Sequence, residues 1–189
     1  MSGAPATRLR AFALTAIVAG ALGLAACGGG SSGVTPAAYV KSICKALGNW
    51  KADVQTAGQQ LQASGAGSAS PTTAKRYYVQ FVHSLRTATQ KAASALSNAG
   101  TPAVKGGTNI ANGLTGAFNR GTNGLAKAES EAQAIRTTNA TIFDTTAGQV
   151  TSQIRTALQG IASVTPRNSA ALKSAASKDP SCQALNSAS

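Results

Sequence analysis

The chain has 189 residues, about one domain's worth, with 43% hydrophobic but only 4% aromatic residues. Ala, Leu, Ile and Val carry most of that apolar content, which argues for helices and against a sheet. Seventeen Lys and Arg against five Asp and Glu give a formal charge of +12, which draws the chain to anionic surfaces: phospholipid head groups, wall polymers or nucleic acid.

The first 26 residues set the compartment. Residues 1–10 (MSGAPATRLR) are basic, residues 11–24 (AFALTAIVAGALGL) are uncharged and mostly apolar, and Leu24-Ala25-Ala26-Cys27 leads into Gly28-Gly29-Gly30-Ser31-Ser32-Gly33. A basic start, an apolar stretch and small residues before a cut are the design of a secretory signal peptide. The Leu-Ala-Ala-Cys tetrad resembles the lipobox of bacterial lipoproteins, and all four positions match. That resemblance implies a diacylglyceryl group on the Cys27 thiol, cleavage before Cys27 and a membrane-anchored protein. The competing readings are an uncut transmembrane helix and a plain secreted protein. The uncut helix is disfavoured because the run from Ala11 to Ala26 is 16 residues, short of the roughly 20 a bilayer span needs. The expected organisation is a cleaved signal peptide over 1–26, a lipidated Gly/Ser tether over 27–35 and a helical domain over 36–189. Export argues against nucleic acid as a partner. Loss of Arg8 and Arg10 leaves 15 basic and 5 acidic residues, a net of +10.

The domain is punctuated by Thr35-Pro36, Ser70-Pro71, Thr101-Pro102 and Thr165-Pro166. A hydroxyl side chain caps the free amides of a helix start, and proline suits the first helical position, so each pair predicts a helix. The first carries a stripe of Val40, Ile43, Leu47, Trp50, Val54, Ala57 and Leu61, and Ala63–Ser70 is a loop. The second carries Tyr78, Val82, Leu85, Thr89, Ala92 and Leu96 and stops at Asn98-Ala99-Gly100. The third carries Ile110, Leu114, Ala117, Gly121, Leu125, Ala128, Ala132 and Ile135. Its glycines predict close helix contact, and they leave it either bent or starting after Pro102. A fourth stripe runs from Phe143 to Val164, with Asn139 as its cap, and a short fifth helix is expected from Pro166 to about Ser177. These steps of three and four are helical, and short connections favour antiparallel neighbours. The expected fold is all-α: an up-down-up-down four-helix bundle with a short extra C-terminal helix.

Three cysteines in an exported chain are an odd count. With Cys27 lipidated, Cys44 and Cys182 remain. In an oxidising compartment they are most economically one disulfide clipping the C-terminal segment to the first helix, the alternative being two free thiols.

Chemistry is hard to find. His83 is the only histidine and reads as a helix boundary residue, with no acidic residue within helical reach. The usual zinc spacings are absent, so no metal or cofactor is expected. Glu129 and Glu131, two apart on a helix, point different ways, so no facing carboxylate pair is readable. A Ser–His–Asp triad assembles only in space, but no serine has a nucleophile elbow around it. The glycines of the third helix lack the strand and the Gly-Lys-Ser/Thr ending of a phosphate loop. The expectation is a non-enzyme. Lys41 and Lys45, one turn apart on the first helix, are the candidate contact for anionic lipid or wall polymer, against the plain reading of a solvated face.

Cys44 with Trp50, the glycine-containing stretch Gly106–Gly124 and Asp179-Pro180-Ser181-Cys182 also resemble a loose group of small helical envelope lipoproteins of high-GC Gram-positive bacteria. That likeness implies location and fold and no activity. The functional expectation is therefore a membrane-anchored, non-catalytic structural or interaction module on the outer face of the cell membrane. The alternative is a carrier for an apolar or anionic ligand or lipid.

Overall fold

The hydroxyl-proline pairs act as expected at the first two helices. In the structure, a computed structural model that describes residues 33–162 and 169–187, helix α1 spans Pro36–Ala63 and α2 spans Pro71–Asn98. Thr35 Oγ1 accepts from the Ala38 amide at 3.3 Å, and Ser70 Oγ accepts from the Thr73 amide at 3.4 Å. Each satisfies one of the amides that a helix start leaves without an intrahelical partner. A single 3-10 turn over Ala66–Ser68 joins them.

The third pair does something else. Helix α3 spans Gly107–Ala134 and is capped by Gly106, not Thr101. Thr101 and Ala103 instead bracket Val34: the Val34 amide donates to Thr101 O and the Ala103 amide to Val34 O, both at 2.8 Å. This isolated parallel bridge diverts the backbone groups of the loop away from a helix. The late start settles the question the glycines left open, because a Cβ on Gly107 would fall 2.0 Å from the Pro102 carbonyl oxygen. Only glycine lets α3 begin against that loop.

Helix α4 spans Ala140–Ala162, and Asn139 Oδ1 caps it by accepting from the Ile142 amide at 2.9 Å. The fourth pair, Thr165-Pro166, lies outside the described residues. The C-terminal segment holds two short helices where one was expected: α5, Ala170–Lys178, and α6, Pro180–Ser187. Ser169 caps α5. Asp179 caps α6, accepting at Oδ1 from the amides of Ser181 at 2.9 Å and Cys182 at 3.3 Å.

Contacts between helices run in opposite numerical order, so neighbours are antiparallel. Trp50 of α1 meets Thr89 of α2. His83 and Lys75 of α2 meet Glu129 and Ile135 at the far end of α3. Gly121 and Gly124 of α3 face Ile161 and Ala157 of α4. The result is an all-α bundle in which α4 packs on α3 and touches α2, while α1 is covered by α2, α5 and α6.

Two apolar clusters fill it. One, at the end where the chain enters, gathers Tyr39, Val40, Ile43, Leu96, Ile110, Phe118, Leu172 and Cys182. The other, toward the far end, gathers Ala57, Val82, Leu85, Leu125, Ala132, Ile135, Val150 and Ile154. Trp50 packs edge-on to Phe118, with ring centroids 5.3 Å apart. Its indole N–H donates to Thr89 Oγ1 at 3.2 Å, and that hydroxyl donates to Leu85 O at 2.8 Å. Thr89, placed on the apolar stripe by its spacing, is thus a fully buried polar residue with both its roles filled. No described helix is long and apolar enough to cross a membrane.

Candidate functional site

Of the residues singled out from sequence, Cys27 lies outside the described residues. Cys44 and Cys182 are joined by a disulfide, with Cα atoms 5.0 Å apart and a sequence separation of 138. The bridge holds α6 on α1 beside Tyr39 and Val40 of the first cluster. In a chain-entropy picture a loop of that length is worth roughly 4–5 kcal/mol.

Beside the bridge is a tight polar corner. Asp179 accepts from the Ser181 hydroxyl and from two amides, and Lys41 lies close enough to act on it electrostatically. The Ser181 hydroxyl bond is the main cause that holds the Asp179 carboxyl below the usual aspartate range. Partial desolvation opposes it, and the two amides and the Lys41 charge add to it. Lys41 and Lys45 are both exposed, one turn apart on α1.

The basic first half of the domain is not one patch. Lys75 donates to the Ile135 carbonyl at 2.8 Å and so caps the C-terminal end of α3, where a cation also meets the negative end of the helix dipole. Arg76 lies over the Tyr77 ring, 5.3 Å from its centroid. Arg86 pairs with Glu129. Lys75 and Arg86, both half-buried, are held by partners within the protein, whereas Arg76 is exposed like Lys41 and Lys45.

Glu129 is the residue that sequence spacing missed. It is 7% exposed and sits between Leu125 and Ala132 on the core side of α3. Its Oε1 lies 2.9 Å from His83 Nδ1, and its Oε2 lies 3.1 Å from Arg86 Nε, close but without the alignment of a hydrogen bond. The signal was present: position 129 is one helical turn from Leu125 and next to Ala128, inside the apolar arc. His83 has no acidic neighbour on its own helix, so only the antiparallel register of α2 and α3 could supply one.

His83, whose side chain is 56% exposed, borders a groove of ≈ 250 Å³ between α1 and α2, together with Asp53, Thr56, Gln60, Ser84 and Lys91. A carboxylate on Nδ1 orients an imidazole. For base catalysis the ring must also reach a proton to abstract, and no hydroxyl is hydrogen-bonded to His83 among the described residues. No group of three His, Cys, Asp or Glu is placed to hold a metal ion among the described residues.

A second, more apolar groove of ≈ 520 Å³ lies between α3 and α4. Its lining combines the small residues Ala117, Gly121, Gly124 and Ala157 with the charged Arg120, Lys127 and Glu131. The glycines of α3 divide here. A Cβ on Gly121 would meet Ile161 at 2.5 Å and one on Gly124 would meet Ala157 Cβ at 2.9 Å, whereas nothing lies within 4 Å of one on Gly113. Close helix contact thus accounts for two of them and leaves Gly113 without a packing reason.

No protein-family model matches the chain, and no curated protein or solved structure matches it either.

Proposed function

We propose that the chain is a bacterial lipoprotein, held on the extracytoplasmic face of the cell membrane by lipid on Cys27, and that its bundle is a non-catalytic structural or interaction module. The observation that carries this reading is Leu24-Ala25-Ala26-Cys27 behind a basic and then apolar stretch. The Cys44–Cys182 bridge supports it, because it leaves Cys27 as the one cysteine outside a disulfide. A disulfide also suits a compartment outside the cytoplasm. Two or three acyl chains would hold the protein stably at the membrane, where one would not. The test is to express the precursor in a bacterial host fed an alkyne fatty acid. The wild type is expected to be labelled and membrane-bound, and Cys27→Ala unlabelled. Labelling that survives Cys27→Ala would overturn the reading.

The groove between α3 and α4 favours a second reading, a carrier for an anionic amphiphile, since a lining of small residues with Arg120 and Lys127 suits an acyl chain with a charged head. Native mass spectrometry of the purified protein separates the two: a co-purifying lipid that is lost on Arg120→Gln/Lys127→Gln, with circular dichroism unchanged, belongs to the carrier reading.

A further inference from the structure

We propose that the end of the bundle nearest the anchor is itself a contact surface for anionic phospholipid, so that the domain stands end-on against the bilayer rather than swinging on its tether. The proposal takes its geometry from the anchored reading above. It concerns different residues and a different measurement.

Three observations carry it. First, the two backbone hydrogen bonds that tie Val34 to Thr101 and Ala103 fix where the chain leaves the bundle: at the end formed by the start of α1 and the α2–α3 loop. Cys27 is seven residues upstream of Val34, a reach of at most about 25 Å and typically about 15 Å for a Gly/Ser chain. That end therefore stays near the lipid head groups.

Second, charge is unevenly distributed along the bundle. The acidic residues Asp53, Glu129, Glu131 and Asp144 all lie toward the other end. Asp53 lines the groove with His83, Glu129 pairs with His83 and Arg86, Glu131 accepts from Gln153, and Asp144 adjoins Phe143 of the far cluster. The near end has one described carboxylate, Asp179, and it is occupied in capping α6. Against it stand Lys41, Lys45, Lys105, Lys173 and Lys178, all exposed.

Third, α5 and α6 bring three of these six groups to this end. They pack on α1, are fastened there by the disulfide, and place Asp179 beside Lys41, with Lys173 and Lys178 exposed on α5. Sequence alone groups Lys41 with Lys45; the fold brings Lys105, Lys173 and Lys178 to the same end. A lysine near an anionic bilayer is worth roughly fivefold in affinity, and the effect fades within a Debye length of about 8 Å at physiological salt. Only lysines held at the surface contribute, and the short tether provides that. A wall polymer would present anionic groups on all sides and would not select one end.

Both apolar clusters are built from residues of the described bundle, so the chain from Gly28 to Ser189 keeps all of those described contacts and lacks the acyl groups. Its co-sedimentation with vesicles of about one-third phosphatidylglycerol in phosphatidylcholine is expected to exceed that with pure phosphatidylcholine and to fall as salt rises. Lys41→Gln/Lys45→Gln and, separately, Lys105→Gln/Lys173→Gln are each expected to weaken binding roughly 25-fold, with circular dichroism unchanged. Arg136→Gln/Arg155→Gln, toward the far end, is expected to change it less than about twofold. The proposal fails if binding is absent or equal on neutral vesicles, or if the far pair costs as much as the near pairs. It also fails if soluble poly(glycerol phosphate) is bound while vesicles are not, which would assign the surface to a wall polymer. Loss of fatty-acid labelling at Cys27 in the precursor would refute the anchor and leave this result intact.

Discussion

The glycines of α3 make a prediction that depends on position and not on composition. Replacing an interior helix glycine with alanine gains up to about 1 kcal/mol, because alanine has less backbone freedom to lose. Gly113 has open space around its missing Cβ, so Gly113→Ala is expected to show that gain in full. Gly124 is one helix turn from Arg120 on the α4 side, and its Cβ would meet Ala157 Cβ at 2.9 Å and Ala157 Cα at 3.7 Å. Alanine has no rotamer to move aside, so α3 and α4 must separate. Overpacking of that kind costs about 1–3 kcal/mol, which cancels or exceeds the propensity gain. Gly107→Ala meets a backbone oxygen at 2.0 Å, at the first residue of the helix, where the propensity gain is smallest; it is expected to be the most damaging of the three. For a chain of this size 1 kcal/mol moves Tm by about 2–4 °C. Thermal unfolding followed by circular dichroism should therefore rank Gly113→Ala above wild type and Gly107→Ala lowest. If Gly113→Ala and Gly124→Ala raise Tm equally, the α3–α4 contact is not what holds Gly124 to glycine.

Other expectations follow from single buried groups. Thr89→Val keeps the shape of the side chain but removes the acceptor for the Trp50 indole, and should cost about 1–3 kcal/mol, the penalty of a buried donor left without a partner. Trp50 is the sole tryptophan, so its emission reports the change directly; unaltered emission and stability would count against the bond. The Tyr39 hydroxyl is buried without a hydrogen-bond partner, and its desolvation raises its pKa above the ordinary tyrosine value. Tyr39→Phe should therefore leave stability unchanged or raise it by up to about 1 kcal/mol, as read from urea unfolding. A clear loss would mean that the hydroxyl has a partner. Asp179 has a lowered pKa in the folded state, so its cap is fully present above the ordinary aspartate range. The cap's contribution fades as pH falls through the ordinary value toward the lower folded one. The protection factor of the Ser181 amide, its exchange rate set against the intrinsic rate at the same pH, should be high at neutral pH and fall in strong acid, and Asp179→Ala should lower it at any pH.

Much of the fold was legible because its signals are local. Thr35 and Ser70 before prolines, Asn139 before the fourth stripe and the three-four spacing of Val40 to Leu61 each concern one turn or one face of a helix. The misreadings came where a distant segment intervenes. Thr101-Pro102 has the same chemistry as the pairs that start α1 and α2, but Val34 takes up the backbone groups around it. Asp179-Pro180 is the same device with a carboxylate in place of a hydroxyl, and it starts α6, a helix the apolar stripes were too short to reveal. The Glu129–His83 pair depends on the register between two helices, which no single stripe encodes. The disulfide was reached from cysteine number and compartment, and its position between α1 and α6 is what places the C-terminal lysines.

The central claim is chemical modification of one atom, the Cys27 sulfur, and intact mass spectrometry of protein taken from the membrane fraction tests it most directly. The account predicts an N-terminus at Cys27, a mass increment of diacylglyceryl with or without a further acyl chain, no free thiol, and Cys44 and Cys182 recovered together in one disulfide-linked peptide pair. A chain starting at Met1, or one cut elsewhere and carrying an unmodified Cys27 thiol, would contradict it.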